Sequence, residues 1–194
     1  MQEGRTTFAA WEQDLDRFLI APEDIQARVQ ELGQAITNHY ANVDELTLVA
    51  VINGALPFTA DLMRAIQRPV RLDCIRVSSY QDQMRPATKP QILDRIHLDL
   101  RDRHVLIIDD ILDTGNTMKR VMRELQHEKP ASLALCVLLE KEDRLEVDLK
   151  PDFVGFRIPD EFVVGYGLDF AERYRNLPGI GVLKAECQNP PEWN

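Results

Sequence analysis

Residues 104–118 read HVLIIDDILDTGNTM. The run HVLIID has the composition and length of a buried strand. It meets two adjacent acids, Asp109 and Asp110, and a third, Asp113, stands just before Thr114, Gly115, Asn116 and Thr117. Met118, Val121, Met122 and Leu125 then recur at helical spacing, so a helix is expected over 114–127. A loop that leaves a strand and opens a helix offers free backbone N–H groups and the positive end of the helix dipole, which together hold a phosphate dianion. Gly115 lets the backbone approach such a ligand closely. Asp113 or Thr114 could instead cap the helix, and on the Thr-Gly pair alone capping is the commoner use. Adjacent carboxylates at a strand end have three uses: metal coordination, hydrogen bonds to sugar hydroxyls, or a solvated turn. A phosphorylated sugar would engage both halves of the stretch, and magnesium, a hard cation suited to oxygen ligands, would reconcile the acids with further phosphates.

Working outward, the same strand–helix rhythm repeats. Residues 22–43 open with Pro22, Glu23 and Asp24 and place Ile25, Val29, Leu32 and Ile36 on one helical face. TLVAVI (47–52) reads as a buried strand, 57–67 as a helix begun by Pro57, and VRLDCIRVSSY (70–80) as a strand covered on one side. Residues 81–97 are polar and aperiodic, which suits a long loop, a loose hairpin or a lid. SLALCVLL (132–139) is another buried strand, and DFVGF, FVVGYGL and GIGVL are short late strands. The expected fold class is α/β, a mostly parallel twisted sheet flanked by helices with right-handed crossovers. Ligands bind such sheets at the carboxyl ends of strands, where the opening stretch lies. One domain over 1–194 is expected, with a core of about 45–150 and a small hood lobe built from about 1–44 and 152–194.

Composition narrows the function classes. The net charge of −9 argues against a nucleic-acid binder but leaves room for a local anion pocket. No run is long and apolar enough for a membrane helix, and MQEGRTTFAAWEQDLDRF lacks a secretory signal pattern. Cys74, Cys136 and Cys187 are odd in number and far apart, which suits a cytoplasmic chain, with Cys74 and Cys136 read as small buried thiols. No GxxxxGK[ST] loop occurs, and the paired aspartates fall too late in the chain for a phosphorelay receiver.

VLIIDDILDTGNTM resembles the phosphoribosyl-diphosphate motif of the type I phosphoribosyltransferases, and PDFVGFRIPDEFVVGYGLDF (151–170) is similar to their 6-oxopurine, hypoxanthine-guanine branch. INGALPFTADLMR (52–64) and VSSY (77–80) fit the same family, so the likeness runs in order from about Leu46 to Val182. The resemblance implies transfer of 5-phosphoribosyl from its 1-diphosphate to N9 of hypoxanthine or guanine, with release of diphosphate. It implies that Asp109 and Asp110 hold the ribose hydroxyls, and that Thr114, Gly115, Asn116 and Thr117 hold the 5′-phosphate. Asp113 would face N7 of the purine as general acid/base, and Lys141 would donate to the 6-oxygen. Phe162 would stack on the base opposite Ile111, and the Val163 backbone would meet the far edge of the ring. Asp169 would ligate Mg2+, Arg175, Asn53 and Gly54 would meet diphosphate, and Ser79 and Tyr80 would begin a lid. A homodimer or homotetramer is implied as well.

Taken singly, these residues have plainer uses. Phe162 suits a core, Lys141 a solvated turn, Arg175 a charged surface and Asp169 a strand end; only joint order and spacing favour the site. Four positions depart from the family pattern. Asn53 stands where relatives carry lysine, with a cis peptide expected before it, and Asn116 replaces another common lysine. Glu161 stands where some relatives have lysine beside the purine, and the lid lacks the usual small turn. A xanthine preference, or a phosphoribosyltransferase fold acting as a non-catalytic regulator, are the alternatives these departures leave open.

Overall fold

The computed structural model describes residues 9–78, 91–92 and 96–189. In chain order the elements are α1 (Ala9–Glu12), β1 (Leu15–Ile20), α2 (Pro22–His39), β2 (Leu46–Ile52), α3 (Leu56–Ala65), β3 (Val70–Ser78) and β4 (Gln91–Ile92). They continue with β5 (His104–Leu112), α4 (Asn116–His127), β6 (Ser132–Glu140), β7 (Phe153–Arg157), β8 (Val163–Val164) and β9 (Ile180–Leu183).

The main sheet has the order β4-β3-β2-β5-β6-β7. All neighbours are parallel except β4, which pairs antiparallel with β3 through Val77↔Ile92 and Ser78↔Gln91. The expected parallel α/β sheet is therefore present. Strand periodicity explains why both faces are covered: side chains alternate across the pleat, so a fully apolar run feeds two cores at once. Leu106 and Ile108 of β5 join Ile25, Val29, Leu32 and Ile36 of α2 and Phe58 and Leu62 of α3. Val105 and Ile107 join Met118, Val121 and Leu125 of α4 on the other side.

Among the parallel strands, the chain runs outward from β2 to β3 and then returns past β2 to β5. That reversal is a topological switch point, and it opens a crevice beyond the carboxyl ends of β2 and β5. The opening stretch and the Asn53–Gly54 loop face each other there.

A second, antiparallel sheet has the order β1-β9-β8, with Leu15↔Leu183, Ile20↔Ile180 and Val163↔Val182 in register. This small sheet takes one strand from near the chain's beginning and two from its later part. The apolar stripe of α2 packs into the main core, and β7 hydrogen-bonds to β6 in the main sheet. Arg28 fastens α2 to β7, donating from Nε to Gly155 O and from Nη2 to Val154 O, each at 2.9 Å.

Three local expectations change. Asp109 and Asp110 lie inside β5 rather than after it, because Asp109↔Val137 and Ile111↔Leu139 extend the pairing with β6. FVVGYGL gives only the two-residue β8, since Gly165, Tyr166 and Gly167 adopt φ values of 103°, 46° and 103° that end the strand. Cys136 is buried as expected, whereas Cys74 is half-buried, and all three cysteines are free. Among the described residues, no helix is long and apolar enough to cross a membrane.

Candidate functional site

The phosphate half of the site sits where α4 begins. Gly115 is the N-cap residue, in left-handed conformation with φ 80°, and no side chain caps the helix. The capping use of Asp113 or Thr114 is therefore not taken up, and the first N–H groups of α4 remain available to an anion. Gly115 is required here: at that φ a Cβ would stand 2.6 Å from Val147 Cγ2. Asn116 Nδ2 donates to Glu146 Oε2 at 2.7 Å, so the loop is braced by a residue that sequence reading had not singled out.

The acids at the end of β5 are crowded. Asp109 is buried and accepts the Asp110 N–H at 3.1 Å, while Asp110 Oδ1 accepts the Ile111 N–H at 2.9 Å. Burial, reinforced by the charge of Asp110, pushes the Asp109 carboxyl well above the usual carboxylate range. Burial also raises Asp110, with the Ile111 N–H and the Arg175 charge offsetting part of the rise.

A carboxyl raised in the fold holds its proton at pH values where the unfolded chain has lost it. Its effect is to lower stability as pH climbs through the ordinary carboxylate range towards the folded value. Asp109→Asn is thus expected to raise Tm by about 2–4 °C near neutral pH, the shift that ~1 kcal/mol gives a domain of this size. The gain should shrink towards about pH 4, where the wild-type carboxyl is already protonated. Thermal unfolding across pH checks both parts.

Opposite Asp110 lies the loop after β2. The Ile52–Asn53 peptide is cis, as expected. Gly54 abuts the Asp110 carboxylate so closely that a Cβ would fall 1.7 Å from Oδ2. Gly167 presses on the same loop from the other side: its φ is 103°, and a Cβ would lie 2.0 Å from Gly54 O. Tyr166 ties this Gly-Tyr-Gly turn to α3, its hydroxyl donating to Asp61 Oδ2 at 2.6 Å. Arg175 completes the arm, with Nη1 donating to Gly167 O at 2.9 Å and Nη2 2.9 Å from Asp169 Oδ1. Asn53, Gly54, Asp110, Asp169 and Arg175, separated by more than a hundred residues of chain, are thus joined by direct contacts. Gly167 had not been singled out, although a glycine inside a strand-like run signals close backbone approach.

On the base side, Lys141 is 8% exposed and its Nζ donates to Asp160 Oδ1 at 3.2 Å. Arg144 bridges outward from this pair: Nη1 reaches Asp160 Oδ1 at 3.2 Å, and Nε lies 2.9 Å from Asp113 Oδ1. That last contact is an ion pair and not a hydrogen bond, and among the described residues no donor satisfies Asp113 Oδ1, which is out of solvent. Buried acceptors are nearly always satisfied, so an orphaned one marks a place for a ligand proton. Arg144 reads in sequence as one charge in a polar turn, and nothing there reveals its reach to Asp113.

Phe162 is 41% exposed, with its ring edge-on to Phe170 at 5.4 Å between centroids. Val163 is buried, Ile111 half-buried, and Leu183 N–H fixes the Phe162 carbonyl at 2.9 Å. Ser79 and Tyr80 lie outside the described residues, as does most of the expected lid.

Among the described residues, no three His, Cys, Asp or Glu side chains converge into a metal cage. Asp169 Oδ2 accepts the Glu172 N–H at 2.9 Å, and Oδ1 stands beside Arg175.

Residues 22–171 match the phosphoribosyl transferase domain. A hypoxanthine phosphoribosyltransferase of Salmonella typhimurium is 46% identical over 164 residues, covering 84% of this chain and 92% of its own. A hypoxanthine-guanine phosphoribosyltransferase of Bacillus subtilis is 43% identical over 171 residues, 88% of this chain and 94% of its own. A solved hypoxanthine phosphoribosyltransferase of Staphylococcus aureus superposes with a TM-score of 0.87 at 40% identity, covering 93% of this chain and 98% of that one. The chain therefore belongs to the phosphoribosyltransferase family, on its hypoxanthine-guanine branch.

Proposed function

We propose that the protein is a purine-salvage enzyme that transfers 5-phosphoribosyl from 5-phosphoribosyl 1-diphosphate to N9 of hypoxanthine or guanine. The products are the corresponding nucleotide and diphosphate. One observation carries the reading: the buried Asp109 and the partly buried Asp110 lie near the end of β5, and after Asp113 comes a helix whose first N–H groups no side chain caps.

The division of labour follows from the chemistry of each group. Asp109 and Asp110 accept from the ribose hydroxyls, and residues 114–117 hold the 5′-phosphate through backbone N–H groups. Departure of diphosphate leaves positive charge on the ribose, so the leaving group must be neutralised. Magnesium, held by Asp169, supplies that neutralisation when bound, and Arg175 with the Asn53–Gly54 backbone supports it. Asp113 Oδ1 takes or returns the N7 proton of the purine. Lys141 donates to the 6-oxygen, which disfavours adenine because its 6-amino group would place donor against donor. Phe162 offers its exposed face to the ring. We place the enzyme in the cytoplasm as a homodimer or homotetramer of single-domain chains, with no nucleic-acid or membrane partner.

The test is direct. Protein, magnesium and phosphoribosyl diphosphate are mixed with hypoxanthine, guanine, xanthine or adenine, and nucleotide formation is followed. Product is expected with hypoxanthine and guanine and not with adenine. Absence of product with every base would overturn the proposal.

A further inference from the structure

We propose that the N-terminal segment carrying Trp11 and Asp14 is a positioning clamp for the turn 169–175, acting through Tyr174. The inference rests on the assignment of Asp169 and Arg175 to magnesium and diphosphate. The clamp itself comes from outside residues 22–171, the part matched to the family.

The turn needs outside support. Ala171, Glu172 and Tyr174 have φ values of 51°, 61° and 72°, in the left-handed region that L side chains rarely adopt. Such backbone persists only where surrounding contacts over-determine it, and it concentrates at functional sites. Within the turn, Glu172 N–H bonds to Asp169 Oδ2 at 2.9 Å, and Phe170 pairs with Arg173.

Further contacts come from the chain's beginning. The Tyr174 hydroxyl donates to Asp14 Oδ2 at 2.9 Å. Its ring meets Trp11 edge-to-face, with centroids 4.8 Å apart and planes at 66°. The Arg173 guanidinium carbon lies 5.9 Å from the centre of the same Trp11 ring. Burial, with Asp14 as hydrogen-bond partner, pushes the Tyr174 hydroxyl up to about 12, so it remains a donor at neutral pH.

Asp14 is itself held in place. Lys184 N–H donates to Asp14 O at 3.0 Å, Lys184 Nζ donates to Gln13 O at 2.7 Å, and Leu15 pairs with Leu183. A continuous path therefore runs from the small sheet through Asp14 and Tyr174 to the adjacent Arg175. Arg175 in turn contacts both Gly167 O and Asp169 Oδ1 at 2.9 Å. A segment that merely anchored the N-terminus could attach anywhere on the lobe. This one grips the residue beside the diphosphate arginine.

The test separates positioning from general stability. Tyr174→Phe keeps the ring and removes the hydroxyl. It is expected to raise KM for phosphoribosyl diphosphate roughly ten-fold, as loss of one hydrogen bond to a charged group would, with KM for the base unchanged. Asp14→Ala should do the same, and Asp14→Asn, which keeps an acceptor oxygen, should restore most of the loss. Equal rises in both KM values, or a lowered Tm with neither KM changed, would overturn the clamp.

A second measurement needs no turnover. The chain has two tryptophans, so Trp193→Phe leaves Trp11 as the sole indole reporter. Titration with magnesium diphosphate should then change Trp11 fluorescence saturably, and Arg175→Ala should abolish the change. A flat titration of the Trp193→Phe protein would reject the clamp. An enzyme that made no nucleotide yet gave this signal would reject the proposed reaction and leave the clamp standing.

Discussion

Asp113→Asn is expected to lower kcat roughly a hundred-fold or more, the usual worth of a positioned general acid or base. Asparagine matches aspartate in size and preserves an oxygen at the Oδ1 position, so the turn between β5 and α4 should survive. What it loses is the capacity to exchange a proton. Among the described residues Asp113 Oδ1 meets only the Arg144 guanidinium, as an ion pair at 2.9 Å, so the oxygen is not committed to a structural hydrogen bond. KM for phosphoribosyl diphosphate should change little, because the proposed contacts to that ligand come from the other acids and from α4. Steady-state kinetics with each substrate varied reads both quantities. A kcat within about threefold of wild type would remove Asp113 from the proton transfer.

The second large effect is expected from Gly54→Ala. The new methyl would stand 1.7 Å from Asp110 Oδ2, well inside contact distance. Neither side can retreat cheaply. Asp110 Oδ1 is held by the Ile111 N–H at 2.9 Å, and the Gly54 carbonyl is already pressed against Gly167. Displacing the Asp110 carboxylate takes the proposed ribose-binding group out of position, and misplacement of about 1 Å costs on the order of 10²-fold in kcat/KM. Overpacking should also cost about 1–3 kcal/mol of stability. Activity measurements alongside urea unfolding give the two numbers. Full activity in the alanine variant would mean that Asp110 does not hold the substrate in this position.

The same contacts show why some of the molecule was legible in sequence and some was not. β2, β5 and β6 were readable because strands buried on both faces must be apolar throughout, and TLVAVI, HVLIID and SLALCVLL satisfy that condition. β1 was missed because its sequence, LDRFLI, buries only its two ends, and its partner β9 lies far away in the chain. At the site, the DTG motif revealed residues whose types are unusual for a strand end. Arg144 and Asp160 escaped because charged turn residues are ordinary wherever they occur, and only the folded chain carries Arg144 to Asp113. Trp11 and Asp14 escaped likewise, since their partner Tyr174 is distant in sequence.

The attachment of α2 to β7 has a further consequence. β7 is the last strand of the main sheet, and a terminal strand presents unpaired backbone groups that invite another chain to add itself. Arg28 occupies two of its carbonyls, at Val154 and Gly155. One guanidinium thus docks a helix and blunts the edge against intermolecular pairing.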